Sequence, residues 1–181
     1  MSNPASKKTL IVMVAVFVLP VILAKLALEN DWFNQGATNK GALLQPTIDV
    51  SSLLEGTEPK WRLLYVLPEN CDAICENALF SINQVWLALG KESDRAQALV
   101  LFTGKSDVTA LEQLSEYANV HTLSVSDAPI TNLKQQSVYI VDTLNNAMLY
   151  YQIDSDRSTA VMESRSMLAD IKKLLKLSRI G

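Results

Sequence analysis

Hydrophobic positions along this chain form one unbroken block followed by a series of short, spaced ones. The block is residues 10–24, L-I-V-M-V-A-V-F-V-L-P-V-I-L-A, apolar on every face of a helix. Residues 25–28 lengthen it to about 20 residues, close to the ~30 Å of a bilayer core. Lys25 lies near one end, where its stem can snorkel to the interface. Lys7 and Lys8 precede the block, while Glu29 and Asp31 follow it. The positive-inside rule then puts the N-terminus in the cytoplasm and the rest of the chain across the membrane. Trp32 and Phe33 suit an aromatic anchor at the outer interface. A cleaved signal peptide fits less well. A cut after Ala27 sets Lys25 three residues upstream, and a cut after Ala24 sets Ile22 there, neither resembling A-x-A.

The organisation expected is a cytoplasmic tail (1–8), a transmembrane anchor (9–28), a periplasmic tether (29–60) and one folded domain (61–181). The tether is polar and turn-rich, with Gly36, Gly41, Pro46, Gly56 and Pro59. Within it, residues 42–44 and 48–54 are apolar enough to pack on the domain edge.

The domain opens with a β-type run over residues 61–67, broken by Pro68, Glu69 and Asn70. A long amphipathic segment follows and ends at Gly90. Residues 96–102, A-Q-A-L-V-L-F, are almost continuously apolar, as buried parallel strands are. Asp107 suits the N-cap of a helix over 108–117, whose Val108, Leu111, Leu114 and Ala118 share a face. A short strand over 120–125 and a loop over 126–134 containing Pro129 come next. Residues 138–141 and 147–151 flank D-T-L-N-N and predict an antiparallel hairpin. Met167, Leu168, Ile171, Leu174 and Leu175 recur at helical spacing in a last helix over 164–177. The order is βαβα(β)ββα, an α/β domain of thioredoxin-like topology behind a single N-terminal transmembrane helix.

Composition narrows the function. With a net charge of -3 and no basic stripe, nucleic-acid binding is not expected. One histidine excludes a site built from several imidazoles, but not one built from thiolates or carboxylates. The two cysteines, Cys71 and Cys75, stand together at the head of the first domain helix. If Asn70 caps that helix, both thiols share its first turns. They can then converge on one soft metal ion, or close a disulfide where the turn is distorted. A helix N-terminus favours the thiolate, whereas Glu69, Asp72 and Glu76 oppose it as like charges. A disulfide spanning so short a loop stabilises little by loop entropy, which weakens a purely structural role. Two merely packed cysteines remain the alternative. Pro68 stands three residues before Cys71, so the Thr-x-x-Cys arrangement of a peroxidase is missing.

Four stretches in order resemble the SCO-like proteins, and most of all a reduced proteobacterial branch described as transmembrane cytochrome oxidase-associated. They are T-N-K-G-A-L-L-Q-P (38–46), W-R-L-L-Y-V (61–66), C-D-A-I-C (71–75) and V-Y-I-V-D-T-L-N-N-A-M-L-Y-Y (138–151). The resemblance implies a thioredoxin-fold accessory or assembly factor for a haem-copper cytochrome c oxidase, held in the bacterial inner membrane with its domain in the periplasm. It implies that Cys71 and Cys75 act as a redox thiol pair and as copper ligands, with no other cofactor. Oxidase subunits or other assembly factors would be its partners. The chain departs from the family where SCO proteins carry a histidine ligand: that neighbourhood reads L-K-Q-Q-S. The proline after the second cysteine is replaced by Glu76. His121 matches no family ligand, and Met148, a soft donor in principle, reads as hairpin core. Two alternatives follow from those departures: a docking module with a degenerate copper site, and a general periplasmic disulfide oxidoreductase. The second lacks the usual proline before the hairpin, where Gln135, Gln136 and Ser137 stand.

Overall fold

The structure is a computed structural model that describes residues 4–29, 38–126, 130 and 132–178. Trp32, Phe33 and Pro129, assigned above to an aromatic anchor and a loop, lie outside the described residues. The chain divides into two compact units, Met1–Thr38 and Asn39–Gly181.

Among its described residues, the first unit holds one helix, α1 (Pro4–Glu29). Its segment Lys7–Ala27, 21 residues, is long and apolar enough to cross a membrane. At 1.5 Å per residue it extends about 30 Å. Large apolar side chains such as Leu10, Phe17 and Val21 stand exposed along it, a surface that water does not favour and lipid does. The helix begins at Pro4, before the apolar run, because proline is well suited to a first helical turn.

In the second unit a six-stranded sheet carries the fold. Its strands are β1 (Ala42–Asp49), β2 (Trp61–Val66), β3 (Ala96–Phe102), β4 (Val120–Ser124), β5 (Ser137–Val141) and β6 (Asn146–Gln152), in the spatial order β1-β6-β5-β2-β3-β4. β2, β3 and β4 are parallel neighbours, joined by α2 (Ala73–Leu89) and α3 (Val108–Leu114). β5 pairs antiparallel with β2, and β6 closes the predicted hairpin. β1, within the stretch read as a tether with ordered pieces, pairs antiparallel with β6 at the sheet edge. Its register shifts between Leu43 and Ile48, where Pro46 cannot donate to a ladder, a position that edge strands tolerate. The last helix, α4 (Arg157–Leu177), begins seven residues before the predicted start, since Asp156 rather than the first apolar residue caps it.

Alternation along β2 divides the core. Leu63 and Tyr65 point to one face, where α2, α3 and α4 bury Ile82, Leu114, Met167 and Ile171 over the sheet. Leu64 points to the other, beneath Leu53, Leu54 and Leu133. Both crossovers run over the same face, so the C-terminal ends of β2 and β3 and the head of α2 meet at one end of the domain.

Candidate thiol site

At that end, four hydrogen bonds tie the chain leaving β2 to the loop leaving β3. Leu67 N donates to Leu101 O (2.9 Å), and Ser106 Oγ donates to Leu67 O (2.8 Å). Asp107 N donates to Pro68 O (2.9 Å), and Cys71 N donates to Asp107 Oδ2 (2.9 Å). The other oxygen of Asp107 accepts from Thr109 N and Ala110 N, so one carboxylate both caps α3 and holds Cys71. The bond from Cys71 N, followed by that from Ala110 N, holds the Asp107 carboxyl below its usual range.

This clamp corrects the expected start of the cysteine helix. The N-cap is Asp72, not Asn70. With its N–H given to Asp107, Cys71 stays outside the helix, and Asp72 is extended at φ -98°, ψ -174°. Its Oδ1 then accepts from Cys75 N at 3.0 Å. The cysteines therefore straddle the helix start rather than lying one helical turn apart within it. Their Cα atoms are 5.1 Å apart and they are joined as a disulfide, within the separation such a bond requires. Of the two predicted outcomes for the pair, disulfide or shared metal, the structure holds the first.

The two sulfurs have different surroundings. Cys75 is fully buried among core residues, whereas Cys71 is half-buried and packs against the same cluster. Tyr65 belongs to that cluster and is fully buried, with no hydrogen-bond partner for its hydroxyl in the structure. Burial, and then the charge of Asp72, pushes its phenol well above the ordinary range. Glu69, Asp72 and Glu76 are exposed around the pair, as their sequence positions suggested. A cleft of about 720 Å³ opens beside it, with Pro68, Glu69 and Asn70 on one wall and Ser106, Leu133 and Gln135 on others.

The residues before β5 reach the same end. Gln136 Nε2 lies 3.5 Å from Asp72 Oδ2, and Gln136 O accepts from Ile153 N. Gln136 adopts φ 56°, a left-handed conformation that costs a non-glycine residue about 1–2 kcal/mol. No histidine stands in this segment. His121 is exposed on the edge strand β4, and Met148 packs against the core. Among the described residues, no group of three or more His, Cys, Asp or Glu side chains could hold a metal ion. Two thiolates alone can hold Cu(I) once the disulfide is reduced, so the donor chemistry suits a soft monovalent ion without a third ligand. Sequence reasoning found Asp107 as a helix cap but not as the acceptor for Cys71, because that bond joins loops 36 residues apart.

No curated protein matches the chain. Among solved structures, the copper-bound ScoI of Bradyrhizobium japonicum is 17% identical over 69% of this chain and 97% of that one, with a TM-score of 0.44. The copper-bound ScoI of Arabidopsis thaliana is 12% identical over 74% and 98%, with a TM-score of 0.48. A secreted Mycobacterium tuberculosis disulfide oxidoreductase homologous to E. coli DsbE is 19% identical over 67% and 87%, with a TM-score of 0.45. Likeness at this level bears on neither copper nor exchange chemistry in this chain. The family model for a transmembrane-like, thioredoxin-like C-terminal domain, by contrast, matches residues 61–178. The chain belongs to that family.

Proposed function

We propose that this protein is a membrane-anchored periplasmic accessory or assembly factor for a haem-copper cytochrome c oxidase. α1 anchors it in the bacterial inner membrane with the N-terminus in the cytoplasm. Its Cys71–Cys75 pair acts in thiol-disulfide handling or copper delivery. The observation that carries the reading is the pair itself: a disulfide at the head of α2 between one half-buried and one fully buried cysteine. A structural staple across so short a loop would add little stability, whereas a partly exposed cysteine backed by a buried one suits exchange. The SCO-like stretches supply the pathway. Copper, if handled, is cargo, and the pair must first be reduced by a dithiol to offer its two thiolates.

Anaerobic Cu(I) titration of the reduced full chain in detergent separates the two chemistries. One tight equivalent, lost on Cys71→Ser/Cys75→Ser, is the result expected for copper delivery. No tight equivalent would remove copper and leave exchange. The histidine missing before β5 and, among the described residues, the lack of a three-residue ligand group favour a second reading, a docking module with a degenerate copper site. Co-purification with oxidase subunits that persists in the double serine variant, with oxidase copper unchanged, is its signature.

A further inference from the structure

Both cysteines give their backbone N–H groups to carboxylates: Cys71 N to Asp107 Oδ2 at 2.9 Å and Cys75 N to Asp72 Oδ1 at 3.0 Å. A sulfur at a helix head ordinarily gains from such donors when it turns anionic. Here those donors are committed to groups that are already negative. Glu69 and Glu76, both exposed, add two more carboxylates close in sequence to the pair. The cleft beside the pair is lined by two lysines, Lys105 and Lys134, the latter with its Nζ 2.6 Å from Tyr150 Oη and 3.9 Å from that ring's centre.

We propose that Asp72 and Asp107 are positioning residues that select the thiol partner by charge. They hold the two cysteines in place for exchange while disfavouring anionic thiols and favouring a partner whose attacking cysteine stands among basic residues. The inference rests on the reading of Cys71–Cys75 as a working pair. The step is ordinary exchange. An incoming thiolate attacks Sγ of Cys71, the more exposed of the two residues, and a new S–S bond forms. The Cys71–Cys75 bond breaks, and its electron pair leaves on Cys75 Sγ, which takes a proton from solvent. A second thiolate attacks the incoming sulfur of the mixed disulfide. Cys71 departs as a thiolate and is protonated, and the partner leaves as its own disulfide. Negative charge is spread over three sulfurs in each transition state, beside the two cysteines whose amides Asp107 and Asp72 hold. A cationic group carried beside the attacking sulfur offsets that repulsion, and an additional anionic group increases it.

The test is the rate of disulfide reduction in the full chain in detergent by three small thiols at equal thiolate concentration. They are cysteamine (cationic), 2-mercaptoethanol (uncharged apart from the thiolate) and glutathione (anionic). With each rate divided by that thiolate's rate on a small neutral disulfide, which removes its intrinsic nucleophilicity, the expected order is cysteamine, then 2-mercaptoethanol, then glutathione, with the outer two separated by about tenfold at low salt. In Asp72→Asn/Asp107→Asn the ratio should fall below about twofold, because both charges are gone; asparagine still caps each helix, though at position 107 it gives up the second oxygen that accepts from Cys71 N. Wild type in high salt should show the same collapse, which keeps the test decisive even where the double variant does not fold. A ratio near one in wild type, or one that survives both neutralisation and salt, would overturn the inference. That result would leave reducibility and oxidase loading untouched, so it is distinct from failure of the functional reading. Resistance of the pair to all three thiols would overturn both.

Discussion

Asp170 is a buried carboxylate 2% exposed on α4, and nothing in L-A-D-I-K-K-L distinguishes it from a solvated helix position. Its Oδ2 accepts from Tyr151 Oη at 2.6 Å, Gly41 N at 2.9 Å and Lys40 N at 2.8 Å. The chain entering β1 is thereby fastened to the last helix across about 130 residues, a separation that no local pattern conveys. Tyr151 leaves room for this only because residue 41 is glycine: a Cβ there would lie 2.4 Å from the Tyr151 ring. We predict that Asp170→Ala destabilises the protein by about 2–4 kcal/mol, because buried donors lose their acceptor. Denaturant unfolding of the full chain in detergent measures it. Arg62 was equally hidden, as one polar residue in an apolar strand. It is fully buried, with Asn145 Oδ1, Thr57 Oγ1 and the carbonyl oxygens of Lys60 and Glu58 as acceptors. Alternation placed Arg62 on the face of β2 opposite Tyr65; its acceptors come from the tether before β2 and from the turn of the hairpin, whose approach to Arg62 no local pattern conveys.

Among the elements, periodicity located β2, β3, the hairpin β5–β6 and the body of each helix. Boundaries depended on side-chain acceptors instead. α2 begins two residues later than an Asn70 cap would place it, since Asp107 reaches Cys71 N first. α4 begins early because Asp156 accepts from Thr159 N at 2.8 Å. Hydrogen bonds from the Ser158 side chain, then from Thr159, lower the Asp156 carboxyl from 3.8. A lowered folded pKa means a contribution that is complete above the unfolded value and disappears as pH falls through the folded one. We therefore expect the Thr159 amide to keep its hydrogen-exchange protection from neutral pH down to about 4. It should lose protection below that, ahead of the centre of α4. Protection declining between pH 7 and 5 would contradict this assignment. β1 escaped the pattern for another reason: Pro46 breaks the alternation, and the two halves pair with β6 in different registers.

For the whole molecule, one apolar helix and one α/β domain were legible from hydropathy alone, and the family match over residues 61–178 agrees. The cysteine pair was legible as a candidate, but its state was not. The bond from Cys71 to Asp107, made across loops, and the Asp72 cap together leave the first cysteine outside the helix, where it is joined to Cys75. The central claim is that this pair works on behalf of a membrane oxidase. Its most direct test is the copper-to-haem ratio of the cytochrome c oxidase purified from cells carrying Cys71→Ser/Cys75→Ser at normal protein levels. The expected result is a several-fold loss of oxidase copper and activity, restored by the wild-type chain. Full copper loading and activity in the double serine strain would contradict it.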